Sequence, residues 1–433
     1  MAEKRKIDDD EPVIQSNPLD EVIQLYISHV VSNIKNNDPK FLNGVINYCN
    51  DFMIARDNPS KKQKTDSSSE YKYFGSFNAV YALSLSKLSF FINQQDDESD
   101  LDYEKMFKNI LEVYENSFEF INLGQKYSED KTSINYKLLN FVNAFINLQK
   151  IANYFIGKEM VSYYEFDEHI KDEINKKDIL NMFKANWDII HESLNILIGE
   201  SKKYFTTEIC IAEFIAVIIP DVLQTMHVII DSNETIGSES KEKILDEGID
   251  EDHEFTVVKE LSSKHPLQSL HSEIIDNQAD YVVQLRDMFI ACNEFLEEFS
   301  NEIPDESNME DAEDNIEKLT KQNILPTRLE NLRSIGDYFL KELDNPHTSE
   351  KDIQSLLKQN GVYMSKLYQL SESPDDWVIY SESLIQLSAL NEDNKKVQDK
   401  LLKKAMKLLQ KANRVSNGKY DDFIESLQED LNE

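Results

Sequence analysis

Residues able to do acid–base, nucleophilic or metal chemistry are spread thinly along these 433 residues. The eight histidines are dispersed, and His265 and His271 stand six apart, which does not place them on one helical face. His253 lies among Asp250, Glu251, Asp252 and Glu254; this reads as a solvated charged stretch, with a weak divalent-cation site as the alternative. Cys49, Cys210 and Cys292 are far apart and form no CxxC or Cys–His spacing. An odd, sparse set points to free buried thiols in a reducing compartment. Gly199-Glu200-Ser201-Lys202-Lys203 has the wrong spacing for a P-loop, and no strand precedes it. No dinucleotide, zinc-protease or nucleophile-elbow pattern occurs either. No catalytic residue, metal ligand or cofactor is therefore expected, and the chain reads as a binder rather than an enzyme.

What does repeat is a packing pattern. Leu332, Ile335, Gly336 and Phe339 open one helical hairpin, and Trp377, Tyr380, Ser381 and Leu384 open another about 45 residues later at the same spacing. A small residue follows in the second helix of each: Gly361, then Ala405. The hairpins end at Ser373-Pro374 and Asn417-Gly418. This is the logic of a tetratricopeptide (TPR) unit stretched by roughly a dozen residues, in which small side chains let helices approach closely. The fold class expected is all-α, a TPR-like helical-repeat solenoid of stacked antiparallel hairpins with a C-terminal capping helix, Tyr420 to Leu431. Only 10 Gly and 10 Pro agree with few tight turns and little sheet.

The charge says what such a surface attracts. With 46 basic and 81 acidic residues the formal net charge is −35. That balance repels nucleic acid and anionic membrane and favours a basic protein partner. The apolar run Ile209–Ile219, interrupted by Glu213 and followed by Pro220, is too short to cross a bilayer and reads as a buried helix. The charged N-terminus shows no secretory signal. Two basic clusters, Lys4-Arg5-Lys6 and Lys61, Lys62 and Lys64, read as nuclear-import signals or as ordinary solvated charge.

Along the chain, residues 1–16 read as a disordered N-terminus carrying the first basic cluster, 17–230 as an N-terminal helical-repeat domain, 231–263 as an acidic linker or loop, and 264–433 as a C-terminal TPR-like domain. Helices are expected at about 18–34, 39–52, 73–92, 103–123, 134–156, 163–175, 178–198, 203–230 and 266–299. A further acidic loop spans 301–315.

Certain blocks resemble a known family. Asp375-Asp376-Trp377-Val378 and the run Lys411-Ala412-Asn413-Arg414-Val415-Ser416-Asn417-Gly418-Lys419-Tyr420 are similar to the end of the fungal enhancer-of-translation-termination proteins. Phe41-Leu42-Asn43-Gly44-Val45, Val80 to Ser86 and His265-Pro266-Leu267 resemble further blocks. The resemblance implies a nuclear, all-helical regulator, shuttling with the cytoplasm, that supports stop-codon recognition and controls hypoxic gene expression. It implies two protein partners, a basic small-subunit ribosomal protein and a 2-oxoglutarate-dependent prolyl hydroxylase. An acidic histone-type chaperone, or a generic interaction scaffold, is the alternative that shares the charge logic.

Overall fold

The computed structural model describes residues 18–36, 39–57, 74–92, 103–128, 130–155, 178–205, 207–235, 240–243, 254–257, 267–303, 317–345, 348–391 and 394–432. The two basic clusters, the expected helix at 163–175 and most of the acidic loops lie outside the described residues.

Period-3.6 apolar stripes become α1 (Pro18–Asn36), α2 (Lys40–Asp57), α3 (Phe74–Lys87), α4 (Tyr103–Tyr127), α5 (Ile134–Lys150), α6 (Ile179–Ser201) and α7 (Ile209–Thr235). After a short antiparallel pair, β1 (Ser240–Lys243) and β2 (Glu254–Val257), come α8 (Gln268–Asp276), α9 (Gln278–Glu302), α10 (Lys321–Leu343), α11 (Glu350–Leu370), α12 (Pro374–Ala389), α13 (Lys395–Val415) and α14 (Asp421–Asn432). Side-chain caps start several of them. Ser133, Asp178, Thr320, Ser349 and Asn394 each accept from the backbone N–H three residues on, which satisfies an orphan donor and contributes about 1 kcal/mol per cap.

Several boundaries differ from the expected ones, for local reasons. α3 breaks at Leu88 before a short turn of helix, Ser89–Ile92. The expected helix at 266–299 is two helices, because the Asn277 side chain donates to the Glu273 carbonyl and so competes with the backbone ladder. Part of the acidic stretch taken as a linker or loop pairs as β1 and β2, with Ser240 opposite Val257 and Lys243 opposite Glu254. Pro326 lies inside α10, which begins five residues earlier at Lys321, after the Thr320 cap. Pro220 likewise does not stop its helix. A proline in a helix interior costs about 3 kcal/mol. Here that cost is offset by burial of Ile211, Phe214, Ile215, Ile218, Ile219, Val222, Leu223, Met226, Ile229 and Ile230 along α7. By length and composition Ile209–Ser232 could cross a membrane, which the shorter reading missed, yet 72% of its most apolar stretch is buried inside the protein.

α7 is the central spar. It packs against α1 on one side and α9 on another, and polar ties extend it to α10. Nδ1 of His227 pairs with the Tyr338 hydroxyl at 2.8 Å, and Gln224 donates to Ser334 at 3.3 Å. Ser28 of α1 donates to the Glu317 carbonyl at 2.8 Å, just before α10. One hydrophobic core consequently runs from Leu19 to Leu427. From α9 onward the packing is sequential: α9 on α10, α10 on α11, α11 on α12, α12 on α13, and α13 on α14, which closes the stack.

Two glycines set the spacing of that stack. A Cβ at Gly336 would meet the Met364 thioether at 2.9 Å, within the first hairpin. A Cβ at Gly361 would lie 2.6 Å from a Leu387 methyl. Gly361 thus serves the contact between the two hairpins, not the closure of its own as its place in the repeat suggests. Gly361→Leu is expected to lower stability by about 1–3 kcal/mol through overpacking, whereas Gly361→Ala stays near neutral because the Leu387 tip can turn aside. Urea denaturation of both variants checks this; equal stability of wild type and the Leu variant would mean the close approach is absent.

Glu213 interrupts the apolar run Ile209–Ile219 of α7. It is buried and accepts from Gln24 at 2.7 Å. Burial raises its pKa, against the opposing pull of the Gln24 hydrogen bond and Lys318. A raised folded-state carboxyl pKa means the folded protein holds the proton more tightly. Stability is then highest below the unfolded value of about 4.3 and falls as pH rises through the folded value. Glu213→Gln should therefore raise the urea midpoint at pH 7, with the gain vanishing near pH 4. A midpoint at pH 7 no higher than wild type would contradict this.

Candidate protein-interaction site

The sequence blocks around Trp377 and Lys411 meet at the junction of the two C-terminal hairpins. α11 ends at Ser371, and Pro374 occupies the first turn of α12, where its missing N–H costs nothing. The loop between is held from behind. The Trp377 indole N–H donates to the Ser371 carbonyl at 2.9 Å, the Ser371 hydroxyl donates to Asp376, and the Ser373 N–H donates to the Ser371 oxygen at 3.0 Å.

Asp375 and Asp376 are adjacent and do opposite work. The Asp376 side chain is 2% exposed and takes a two-pronged contact from Arg333 of α10, at 2.8 and 2.7 Å. Asp375 points outward to Lys419 at 2.6 Å and to the Tyr420 hydroxyl. Those two partners hold the Asp375 carboxyl below its ordinary range, and the Lys419 ammonium is raised in return by Asp375. Tyr420 is raised first by burial and then by its bond to Asp375.

Lys419 and Tyr420 reach Asp375 because the end of α13 turns sharply. Asn417 has φ 53° and Gly418 φ 89°, and the Gly418 N–H donates to the Asn413 carbonyl at 3.1 Å, which is a Schellman ending. The Asn413 side chain locks it, accepting from the Tyr420 N–H at 2.8 Å and donating to Asp421 at 2.7 Å.

Between α11, α12 and α13 lies an open cleft of about 580 Å³, lined by Tyr368, Gln369, Ser371, Glu372, Trp377 and Lys411. The Lys411 ammonium sits 3.7 Å from the Trp377 ring centre and 5.3 Å from that of Tyr368, a cation–π contact. Two aromatic faces, one cation and one carboxylate suit recognition of a peptide side chain. They supply no nucleophile–base pair.

The repeat residues expected from sequence are packing residues. Leu332, Ile335, Phe339, Leu384 and Ala405 are buried, Gly336 and Gly361 are the close-approach points, and Trp377 is a core residue whose ring borders the cleft. Arg333 and Ser371 escaped the sequence reading. The available signal was the repeat itself, since Arg333 stands directly after Leu332 and Asp376 directly before Trp377 in the equivalent turn. Elsewhere, no group of three or more His, Cys, Asp or Glu able to hold a metal occurs among the described residues. The three cysteines are free, and burial raises all three thiols, Cys210 to about 11 and Cys49 and Cys292 further. None is a poised nucleophile.

Comparison with known proteins bears out the family resemblance. A family model described as nuclear pore complex subunit Nro1 matches residues 8–428. The chain belongs to the Nro1 family. Similar proteins are named Enhancer of translation termination 1. That of Debaryomyces hansenii is 26% identical over 99% of this chain and 97% of its own length, and that of Scheffersomyces stipitis is 24% identical over 98% and 94%. Among solved structures, the S. pombe nuclear import adaptor Nro1 aligns over 99% of this chain and 100% of that one, at 14% identity and a TM-score of 0.47.

Replacing Arg333 by Met would leave Asp376 buried with only hydroxyl support. A fully buried pair loses about 3–5 kcal/mol on such a change. The Arg333 side chain is 41% exposed, so about 2 kcal/mol is expected here. The double variant Arg333→Met/Asp376→Asn should recover part of that loss. A urea double-mutant cycle checks it; additive losses would mean that the two residues do not act as a pair.

Proposed function

We propose that this chain is a non-enzymatic nuclear adaptor needed for correct translation termination and for control of hypoxic gene expression. It works by holding a basic small-subunit ribosomal protein and a 2-oxoglutarate-dependent prolyl hydroxylase. The observation that carries this reading is the end-to-end correspondence with proteins named for translation termination, over 99% of this chain and 97% of the D. hansenii relative. The geometry is in keeping with it. Around the cleft, Arg333, Asp375, Asp376 and Lys419 are engaged in latching helices together. The net charge of −35 suits a carrier of cationic cargo, since a ribosomal protein off the ribosome is a dense cation that aggregates or adheres to RNA.

Two measurements test it. In cells lacking the protein, a dual-reporter assay should show increased stop-codon readthrough that the wild-type chain restores. In vitro, the purified chain should bind a basic small-subunit ribosomal protein at low ionic strength and weaken steeply as salt rises. Unchanged readthrough would refute the termination role. Equal affinity for a core histone would reduce the chain to a general acidic chaperone.

A further inference from the structure

Among the described residues the acidic chain carries one strongly basic helix. Eight of its 46 basic residues lie in the 21 residues of α13, with Asp399 the single acid among them. Their placement is regular. Lys396, Lys400, Lys403, Lys407, Lys411 and Arg414 follow one another at steps of four, three, four, four and three, so they form a single line along the helix. All six are exposed, while the opposite face buries Ala405, Met406, Leu408, Leu409 and Ala412 against α12 and α14. Lys404, just beside the line, bonds the Tyr380 hydroxyl, and Lys411 covers the Trp377 ring. Among the described residues, Lys396, Lys400, Lys403, Lys407 and Arg414 have no carboxylate partner, although the chain holds 81 carboxylates.

We infer that this basic face of α13 is a docking site for a short acidic segment of a partner protein. Charge complementarity identifies the occupant, and the charge of the whole chain limits its length. The line of cations spans about 27 Å at 1.5 Å per residue, which matches roughly eight residues of extended chain. An acidic segment of that length lies wholly over the lysines. At physiological salt the field of carboxylates more than about 8 Å away is largely screened, so the local positive field decides. A long nucleic acid runs past both ends of the line and meets an otherwise anionic surface. The line also leads to the aromatic cleft beside Lys411, which gives an apolar side chain flanking the acidic run a place to enter. This site is opposite in sign to the net charge invoked for basic cargo and does not depend on that cargo. An adaptor with both would hold two partners that repel neither it nor each other.

The test uses the full chain and a fluorescein-labelled ten-residue peptide of alternating Glu and Asp ending in Phe, followed by anisotropy. Saturable binding at physiological ionic strength is expected, with affinity falling about tenfold or more in the triple variant Lys400→Glu, Lys403→Glu, Lys407→Glu. A control with the exposed lysines Lys131, Lys203 and Lys358 changed to Glu should bind within about twofold of wild type. Thermal melting by circular dichroism verifies folding, and Lys→Gln at the same three α13 positions replaces the reversal if that variant melts early. A decauridylate oligonucleotide is run in parallel. No peptide binding, equal loss in the control variant, or tighter binding of the oligonucleotide than of the peptide would each overturn the proposal.

Discussion

The C-terminal half depends on one buried carboxylate. Asp376 has left water, and only the Arg333 fork and the Ser371 hydroxyl compensate it. Arg333 belongs to the first helix of one hairpin, Asp376 to the first helix of the next, and Ser371 to the turn between. Closing that contact fixes how far the second hairpin rotates against the first. Once the rotation is set, Trp377 lies over the Ser371 carbonyl, Lys411 over Trp377, and Asp375 faces the turn after α13. The cleft is what remains between these fixed pieces, so its shape is inherited from the latch.

The hydrophobic contacts supply most of the driving force but little of this orientation. Leu, Ile and Phe side chains on neighbouring helices tolerate small rotations at little cost, whereas a forked hydrogen bond to a buried acid does not. The close approaches at Gly336 and Gly361 add a distance constraint to that angular one. Together they explain why a repeat with unusually long helices still stacks in register.

The architecture was legible in sequence because helical periodicity and a 45-residue doublet are local signals. Leu332, Ile335, Phe339, Leu384 and Ala405 are buried where the pattern puts them. The capping helix and the buried α7 followed from the same reading. What stayed hidden required knowing which helices touch. The packing from α1 and α9 that carries α7 through Pro220 shows only in the fold. Gly361 looked like an intra-hairpin contact because Leu387 lies in the next hairpin. The basic face of α13 was obscured by averaging, since a net charge of −35 conceals eight cations on one helix. The Asp375 to Val378 and Lys411 to Tyr420 blocks were visible as a resemblance, and the structure brings them together at one junction.

The thiols have a practical consequence. Cys49 lies in α2 and Cys292 in α9, where the sequential stack begins, both without solvent exposure, while Cys210 at the start of α7 is half-buried. An alkylating reagent reaches the first two only when the surrounding helices part. Their modification rates therefore act as two separate clocks of local opening. They would report whether the two ends of the molecule breathe together through α7 or independently, without any probe being introduced.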